Sequence, residues 1–416
     1  MEFNTISVVG LGYIGLPTAA VIASRRKRVI GVDVNQHTVD TINRGDIHIV
    51  EPELDIVVQS VVTQGYLSAA TSPKPADAFL IAVPTPFKAE SDDDHVPDLA
   101  YIEQASKAIA KVLDLGNLVI LESTSPVGST EQMAKWLAEA RPDLTFPQTH
   151  GEDSDVRIAH CPERVLPGHV IRELVENDRV IGGMTPKCSA AATALYKTFV
   201  EGECITATAR TAEMAKLTEN SFRDVNIAFA NELSLICDKE GINVWDLIQL
   251  ANHHPRVNIL QPGTGVGGHC IAVDPWFIVA RDAANARMIR TAREVNNHKT
   301  EWVIEKIKLA AADANARTGL KPKIACLGLA FKPDIDDLRE SPALEVAEAL
   351  LVQGYDVVAV EPNIDDHASL PLLSLKAATK EADVIAVLVK HREFMQPDVR
   401  SNLSDLGAID FCGALA

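Results

Sequence analysis

The chain has 416 residues, 47% of them hydrophobic and 23% charged, and a formal net charge of −18. That length exceeds one ordinary core and calls for two or three domains. The acidic surplus disfavours nucleic acid, whose phosphates need a basic face.

No run approaches the roughly 18 consecutive apolar residues of a membrane span. The opening MEFNTISVVGLG enters a strand pattern without a basic leader, so a cytoplasmic protein with no membrane partner is expected. The cysteines at 161, 188, 204, 237, 270, 326 and 412 form no CxxC pair and are odd in number. This argues against a disulfide framework and against zinc, and leaves reduced thiols free to act as nucleophiles.

Short β-branched runs at 5–10, 29–33, 78–83 and 118–122 alternate with helical patterns, as in an α/β parallel sheet. The same rhythm returns at 323–328, 356–361, 383–389 and 408–411. In both copies the first strand runs into a glycine and the second ends in an acid, Asp33 or Glu361. The expected fold class is therefore α/β, with two Rossmann-like doubly wound parallel-sheet domains joined by a long central helix within a helical middle domain. Residues 209–240 contain neither Gly nor Pro and are rich in Ala, Glu, Leu and Lys. They predict one helix of roughly 45 Å at about 1.5 Å per residue, long enough to join two domains and offer a surface to a second subunit. Helices are expected to about Asn297, followed by a polar, alanine-rich stretch to Lys323.

Gly10-Leu11-Gly12-Tyr13-Ile14-Gly15 follows a strand and opens a helix, and Asp33 ends the next strand. These form a dinucleotide fingerprint: a tight turn, close backbone approach to a pyrophosphate, and helix N–H groups facing it. Asp33 would accept from ribose hydroxyls and repel a 2′-phosphate, which favours NAD. Thr85 and Thr124 follow two further strands, on the side of the sheet where ligands bind.

Residues 263–270, GTGVGGHC, set Cys270 at the end of a loop with four glycines in six residues. Asp274-Pro275 then reads as an N-cap and N1 proline. Cys270 would lie near a helix N-terminus, whose partial positive charge favours thiolate. Lys216, Asn220 and Arg223 are spaced four and three apart and share one face of the long helix, and a lysine with an amide suits stabilisation of an oxyanion.

With VVGLGYIGLP, ESTSPVG, AEMAKLTENSFRDVNIAFANE, GTGVGGHC and LGLAFKPDIDDLRESPA in this order, nearly the whole chain resembles the UDP-glucose/GDP-mannose dehydrogenase family. The stretch 160–168, with 177–183, looks most like the branch acting on UDP-N-acetyl-D-mannosamine. Pro167 stands where the UDP-glucose branch has a second Glu.

The resemblance implies NAD-dependent four-electron oxidation of a UDP-sugar at C6 through a Cys270 thiohemiacetal and thioester, for polysaccharide synthesis. It implies Lys216 and Asn220 at the oxyanion, Asp274 and Thr124 organising water, and Glu163 as base of thioester hydrolysis. Arg164, Val165, Arg223, His254, Arg256 and Gly267 look like substrate contacts, as do Phe331 and Lys332, while Arg339 would face NAD. On this pattern residues 1–204 bind NAD, 205–300 form a helical dimerisation domain and 301–416 bind the UDP-sugar, in a homodimer or higher homo-oligomer. One departure is Cys412, where the family usually has a basic residue. UDP-GlcNAc, UDP-glucose and GDP-mannose remain alternative substrates, and an inactive NAD-binding sensor or scaffold is the alternative of another class.

Overall fold

The structure, a computed structural model, describes residues 3–49, 51–88, 95–165, 168–268 and 270–416. Leu166, Pro167 and His269, which contributed to the motifs above, lie outside the described residues. The chain divides into two compact units, one ending at Thr218 and the other beginning at Glu219. The division falls inside a single helix, Ala209–Glu240, whose limits are those expected from the sequence.

The first unit carries an eight-stranded sheet of β1 (Thr5–Val9), β2 (Arg28–Val32), β3 (Leu67–Ala70), β4 (Ala78–Ile81), β5 (Leu118–Leu121), β6 (Arg157–His160), β7 (Arg179–Gly183) and β8 (Cys204–Thr208). Their order is β3-β2-β1-β4-β5-β6-β7-β8, parallel except where β6 meets β7. Alternate residues feed two cores: Ile6, Val8, Leu80 and Ile120 pack on one face, Val9, Phe79, Ile81 and Val119 on the other. Period-two alternation splits a strand between two faces, and helices cover both, so β4 (AFLI) and β5 (LVIL) are apolar throughout.

The second unit repeats this on a smaller scale. Strands β9 (Lys323–Leu327), β10 (Asp356–Val360), β11 (Val384–Val387) and β12 (Ile409–Asp410) form an all-parallel sheet in the order β10-β9-β11-β12. Ile324 and Cys326 face one core, Ala325 and Leu327 the other. The helix expected to end near Asn297 instead runs unbroken over Arg287–Thr318 and stops at Gly319, at φ +73°. Residues 298–318 hold no helix breaker, and Val303, Ile307, Ala311 and Ala314 make a buried stripe at helical spacing that outweighs the polar composition.

A turn of the same kind follows the first strand of each sheet. Gly10 and Gly328 both sit at φ +92°, and their N–H groups donate to Val32 and Val360 at 2.8 Å. Asp33 accepts from the Leu11 N–H at 3.0 Å, and Glu361 accepts from the Leu329 N–H at 2.7 Å. The acid that ends the second strand performs the same task in each.

Candidate active site

At the first turn, a Cβ on Gly15 would lie 1.7 Å from the Gly10 carbonyl oxygen, so the helix Gly15–Ser24 meets its strand only with glycine there. Gly12 is different. A Cβ there meets nothing within 4 Å, which leaves open the approach that a pyrophosphate needs. Tyr13 and Ile14 lie between them, Tyr13 exposed and Ile14 half-buried just ahead of the helix. Asp33 is aimed by two backbone donors, Leu11 N–H and Asn35 N–H at 2.9 Å, one on each oxygen. A carboxylate oxygen accepts more than one bond, so Asp33 keeps capacity for ribose hydroxyls. The turn therefore fits a dinucleotide. Beside it in sequence order, the Thr85 hydroxyl donates to the Thr124 carbonyl at 2.5 Å, tying the ends of β4 and β5 together.

Glu163 and Arg164 follow β6. Glu163 is buried and takes a 2.7 Å ion pair from Arg179, itself 1% exposed, and a 2.7 Å bond from the Arg164 N–H. Although burial works against its charge, Glu163 holds the Arg179 guanidinium above its ordinary range. Val165 packs against the core, and Arg164 reaches towards the Asp178 carbonyl.

In the second unit, Cys270 alone of the seven free cysteines is exposed. Its carbonyl accepts from the N–H groups of Val273 and Asp274 at 3.1 and 2.8 Å, which winds the chain into the helix Asp274–Arg281. Helical winding thus starts earlier than the expected N-cap. Asp274 is the first helical residue and Val273 the cap, whose side chain makes no cap bond. The Asp274 carboxylate, 3% exposed, receives the Asn220 amide at 2.5 Å. Lys216, one turn earlier on the long helix, is half-buried, while Arg223 is exposed, so the three residues of the expected stripe differ in environment.

The glycine loop is anchored at its start. Gly263 N–H donates to Asn231, whose amide donates to Asn296, whose amide donates to Asp224, at 2.9, 2.8 and 2.8 Å. Arg293 closes this buried row with a 2.7 Å ion pair to Asp224. Thr264 adds a 2.6 Å bond to the Leu388 carbonyl, fixing the loop to the end of β11. Gly267 has no room for a side chain, since its Cβ would lie 2.2 Å from the Glu340 carbonyl oxygen and 3.0 Å from the Phe331 Cβ. Phe331, Lys390 and Cys412 line one cavity of about 240 Å³ with Gly263, Thr264 and Gly265. The structure thus gathers Gly267, Phe331 and Cys412 around this loop. Lys332 is half-buried, Arg339 forks onto Asp337 at 2.9 and 2.6 Å, and His254 and Arg256 stand on an exposed loop joined by a 3.3 Å bond from the Arg256 N–H to His254 Nδ1.

Several interacting residues escaped the sequence reading. Glu122, Arg179 and Tyr196 are one buried group, and Asn231, Asn296 and Arg293 another; in sequence they look like strand ends and ordinary helix polars. Lys299 is a further case, donating to Ser234 at 2.8 Å and lying 4.0 Å from the Trp302 ring centre; burial lowers its ammonium to about 7.

Asp334, His391 and Glu393 bring metal-capable atoms within 4.8 Å of one another. His391 Nδ1 accepts from the Asp334 N–H at 3.0 Å, so Nε2 carries the proton and faces Glu361 at 3.1 Å, which leaves no ring nitrogen for an ion.

Among the described residues, no helix is long and apolar enough to cross a membrane. The NAD binding, central and UDP binding domains of the UDP-glucose/GDP-mannose dehydrogenase family match residues 4–200, 210–298 and 325–414. The chain is 66% identical to a UDP-N-acetyl-D-mannosamine dehydrogenase of Campylobacter jejuni, over 95% of this chain and 97% of that one. It is 63% identical to an NDP-N-acetyl-D-galactosaminuronic acid dehydrogenase of Ralstonia nicotianae, over 96% and 93%. A solved UDP-D-ManNAc dehydrogenase from Pyrococcus horikoshii is 38% identical and superposes with a TM-score of 0.87, covering 99% of this chain and 96% of that one.

Proposed function

Because the chain belongs to the UDP-glucose/GDP-mannose dehydrogenase family, we propose that it oxidises UDP-N-acetyl-D-mannosamine at C6 to UDP-N-acetyl-D-mannosaminuronate. NAD is its cofactor. The observation that carries the choice of sugar is the 66% identity, over 95% of the chain, to the Campylobacter jejuni enzyme of that name. The Ralstonia nicotianae relative, at 63%, favours a second reading in which the sugar is a galactosamine derivative.

Bound NAD supplies the hydride acceptor, used twice in this four-electron oxidation. The thiolate of Cys270 adds to the C6 aldehyde to form a thiohemiacetal, and the oxidised adduct is a thioester. Lys216 and Asn220 stabilise the oxyanion with fixed donors. Water attacks the thioester carbon, Glu163 takes its proton, and the C–S electron pair returns to Cys270 as thiolate. Asp274 and Thr124 orient that water. Gly10, Gly12, Tyr13, Ile14, Gly15, Asp33, Thr85 and Arg339 hold NAD, and Arg164, Val165, Arg223, His254, Arg256, Gly267, Phe331 and Lys332 hold the sugar nucleotide. Residues 1–204, 205–300 and 301–416 divide these tasks as NAD-binding, dimerisation and UDP-sugar-binding domains.

Two copies of the chain pair along the long helix. Phe222, Phe229 and Ile236, seven residues apart, are 68%, 50% and 52% exposed, a stripe that a second copy would cover. The enzyme works in the cytoplasm, where seven free thiols stay reduced, and its uronate feeds cell-surface polysaccharide.

The test is stoichiometry. UDP-N-acetyl-D-mannosamine should yield two NADH per sugar, at a rate above UDP-N-acetylgalactosamine, UDP-GlcNAc, UDP-glucose and GDP-mannose assayed in parallel. One NADH with free aldehyde rejects the thioester, and a faster rate on another sugar reassigns the substrate.

A further inference from the structure

The long helix Ala209–Glu240 begins in the first unit, where its opening turns are seated on two sides. One seat is β7: a Cβ on Gly182 would stand 2.6 Å from the Ala212 Cβ and 2.7 Å from the Ala209 Cα, so the helix rests directly on the strand. The other seat is the N-terminus of the helix Ser129–Ala140. Its cap is Gly128, which has no side chain to meet the N–H groups of the first turn. Glu213 supplies the acceptor from more than 80 residues away, one oxygen taking the Gly128 N–H at 2.6 Å and the other the Thr130 N–H and hydroxyl at 2.7 and 2.6 Å. Glu213 is 1% exposed and Thr130 fully buried. Burial raises the Glu213 carboxyl, and the donors of Thr130 and Gly128 oppose that rise. A carboxylate suits the partial positive charge of a helix N-terminus, and three bonds over two oxygens fix both its place and its orientation.

Segments named in the chemistry lie on either side of this clamp. Gly128 closes the loop that leaves β5 and carries Thr124, and the opening of that loop is tied to the end of β4 by the Ser123 hydroxyl, which donates to the Val83 carbonyl at 2.7 Å. Lys216 stands three residues after Glu213, about 4.5 Å further along the same face of the helix. One buried carboxylate therefore joins the Thr124 loop to the turn that presents Lys216. A second tie between the same two helices is exposed: Arg210, one turn earlier, forks onto Glu131 at 2.6 and 2.7 Å.

We propose that Glu213 is a positioning residue: by locking the long helix onto the Gly128 turn, it fixes where the Lys216 ammonium stands relative to the Thr124 loop. This rests on the reading of Lys216 as the oxyanion donor. Glu213 touches neither sugar nor cofactor in this role and exchanges no proton. Fixed donors stabilise an oxyanion only where they are held in place, and a displacement of about 1 Å can cost about a hundredfold in rate.

The experiment is a double-mutant cycle in the full-length enzyme with NAD and UDP-N-acetyl-D-mannosamine, read as kcat per folded molecule, with circular dichroism giving the folded fraction. Glu213→Gln turns an amide N–H towards at least one of the three donors. Its kcat should fall about tenfold or more while both KM values stay within about twofold. In the Lys216→Ala background the same substitution should cost less than about twofold, because the residue it positions is gone. Arg210→Gln breaks only the exposed tie and should leave kcat within about twofold. Thr130→Val deletes one of the three bonds at nearly constant shape and should repeat the pattern of Glu213→Gln in smaller measure, so it carries the cycle where Glu213→Gln does not fold.

Wild-type kcat in Glu213→Gln, an equal loss in both backgrounds, or a loss in Arg210→Gln as large as that in Glu213→Gln overturns the proposal. Lys216→Ala separates the two levels. Wild-type kcat in Lys216→Ala removes the oxyanion assignment itself, whereas a large loss there with wild-type kcat in Glu213→Gln removes only the role of Glu213.

Discussion

Asn220 donates its side-chain amide to the Asp274 carboxylate at 2.5 Å, joining the long helix to the first residue of the helix that follows Cys270. Both residues are buried, Asn220 at 6% and Asp274 at 3% exposure. Replacing Asn220 with Ala removes a donor from a buried carboxylate, at a cost of about 1–3 kcal/mol. Asn220→Asp should be worse at neutral pH, because two buried carboxylates would then face each other. Thermal melts should rank wild type above Asn220→Ala and that above Asn220→Asp, with the last recovering partly at lower pH.

Cys270→Ser should lose turnover by several orders of magnitude while still binding NAD, since an alcohol is a poor nucleophile beside a thiolate. Steady-state NADH release and calorimetric NAD titration measure the two properties separately. An active serine variant would remove the covalent role.

The first turn separates a glycine required by packing from one required by a ligand. Gly15→Ala places a Cβ 1.7 Å from the Gly10 carbonyl oxygen, so it should lower Tm sharply. Gly12→Val enters open space and should leave Tm within a few degrees while NAD affinity falls at least tenfold. Equal losses of stability in the two variants would contradict the assignment of Gly12 to the cofactor.

Glu361 should contribute to the acid stability of the second unit. Burial alone would raise its pKa, but the His391 side chain and the Leu329 N–H outweigh it and bring the carboxyl down to about 2. A depressed native pKa contributes stability that is complete above the ordinary carboxylate range and lost as pH falls towards 2. The contribution is about 3 kcal/mol. Glu361→Gln should therefore be less stable at neutral pH and show a flatter loss of stability between about pH 4.5 and about pH 2, measured by urea unfolding.

Phe229→Glu should break the proposed pairing of two copies. It places a charge in the middle of the apolar stripe of Phe222, Phe229 and Ile236. Sedimentation should show a smaller species than the wild type, and unchanged mass would locate the subunit contact elsewhere.

The sequence pattern located those elements whose residues obey one strong rule. The helix Ala209–Glu240 lacks breakers and has good formers throughout, so its limits agree with expectation. Strands β1, β2, β4, β5, β9, β10, β11 and β12 were visible as apolar runs ending in glycine, acid or turn residues. Strands β3, β6, β7 and β8 were not, because LSAA, RIAH, RVIGG and CITAT mix their few apolar residues with small, polar, basic or glycine positions that imitate turns. Cys270 stands out as a candidate because four glycines precede it, and Asp33 because its distance from the glycines is characteristic. Glu122 was invisible as a buried acid, since its partners lie 41, 57 and 74 residues away at Glu163, Arg179 and Tyr196. Only the sheet order brings them to one place.

The related turns of the two sheets have one further consequence. Asp33 is bound by backbone donors and remains half-exposed, while the whole Glu361 carboxylate is consumed by Leu329, Ala330, Asn363 and His391. A ribose seeking Glu361 would find every acceptor already engaged. The architecture is duplicated but the nucleotide-reading acid is not, and saturation of a single polypeptide should occur at one equivalent of dinucleotide.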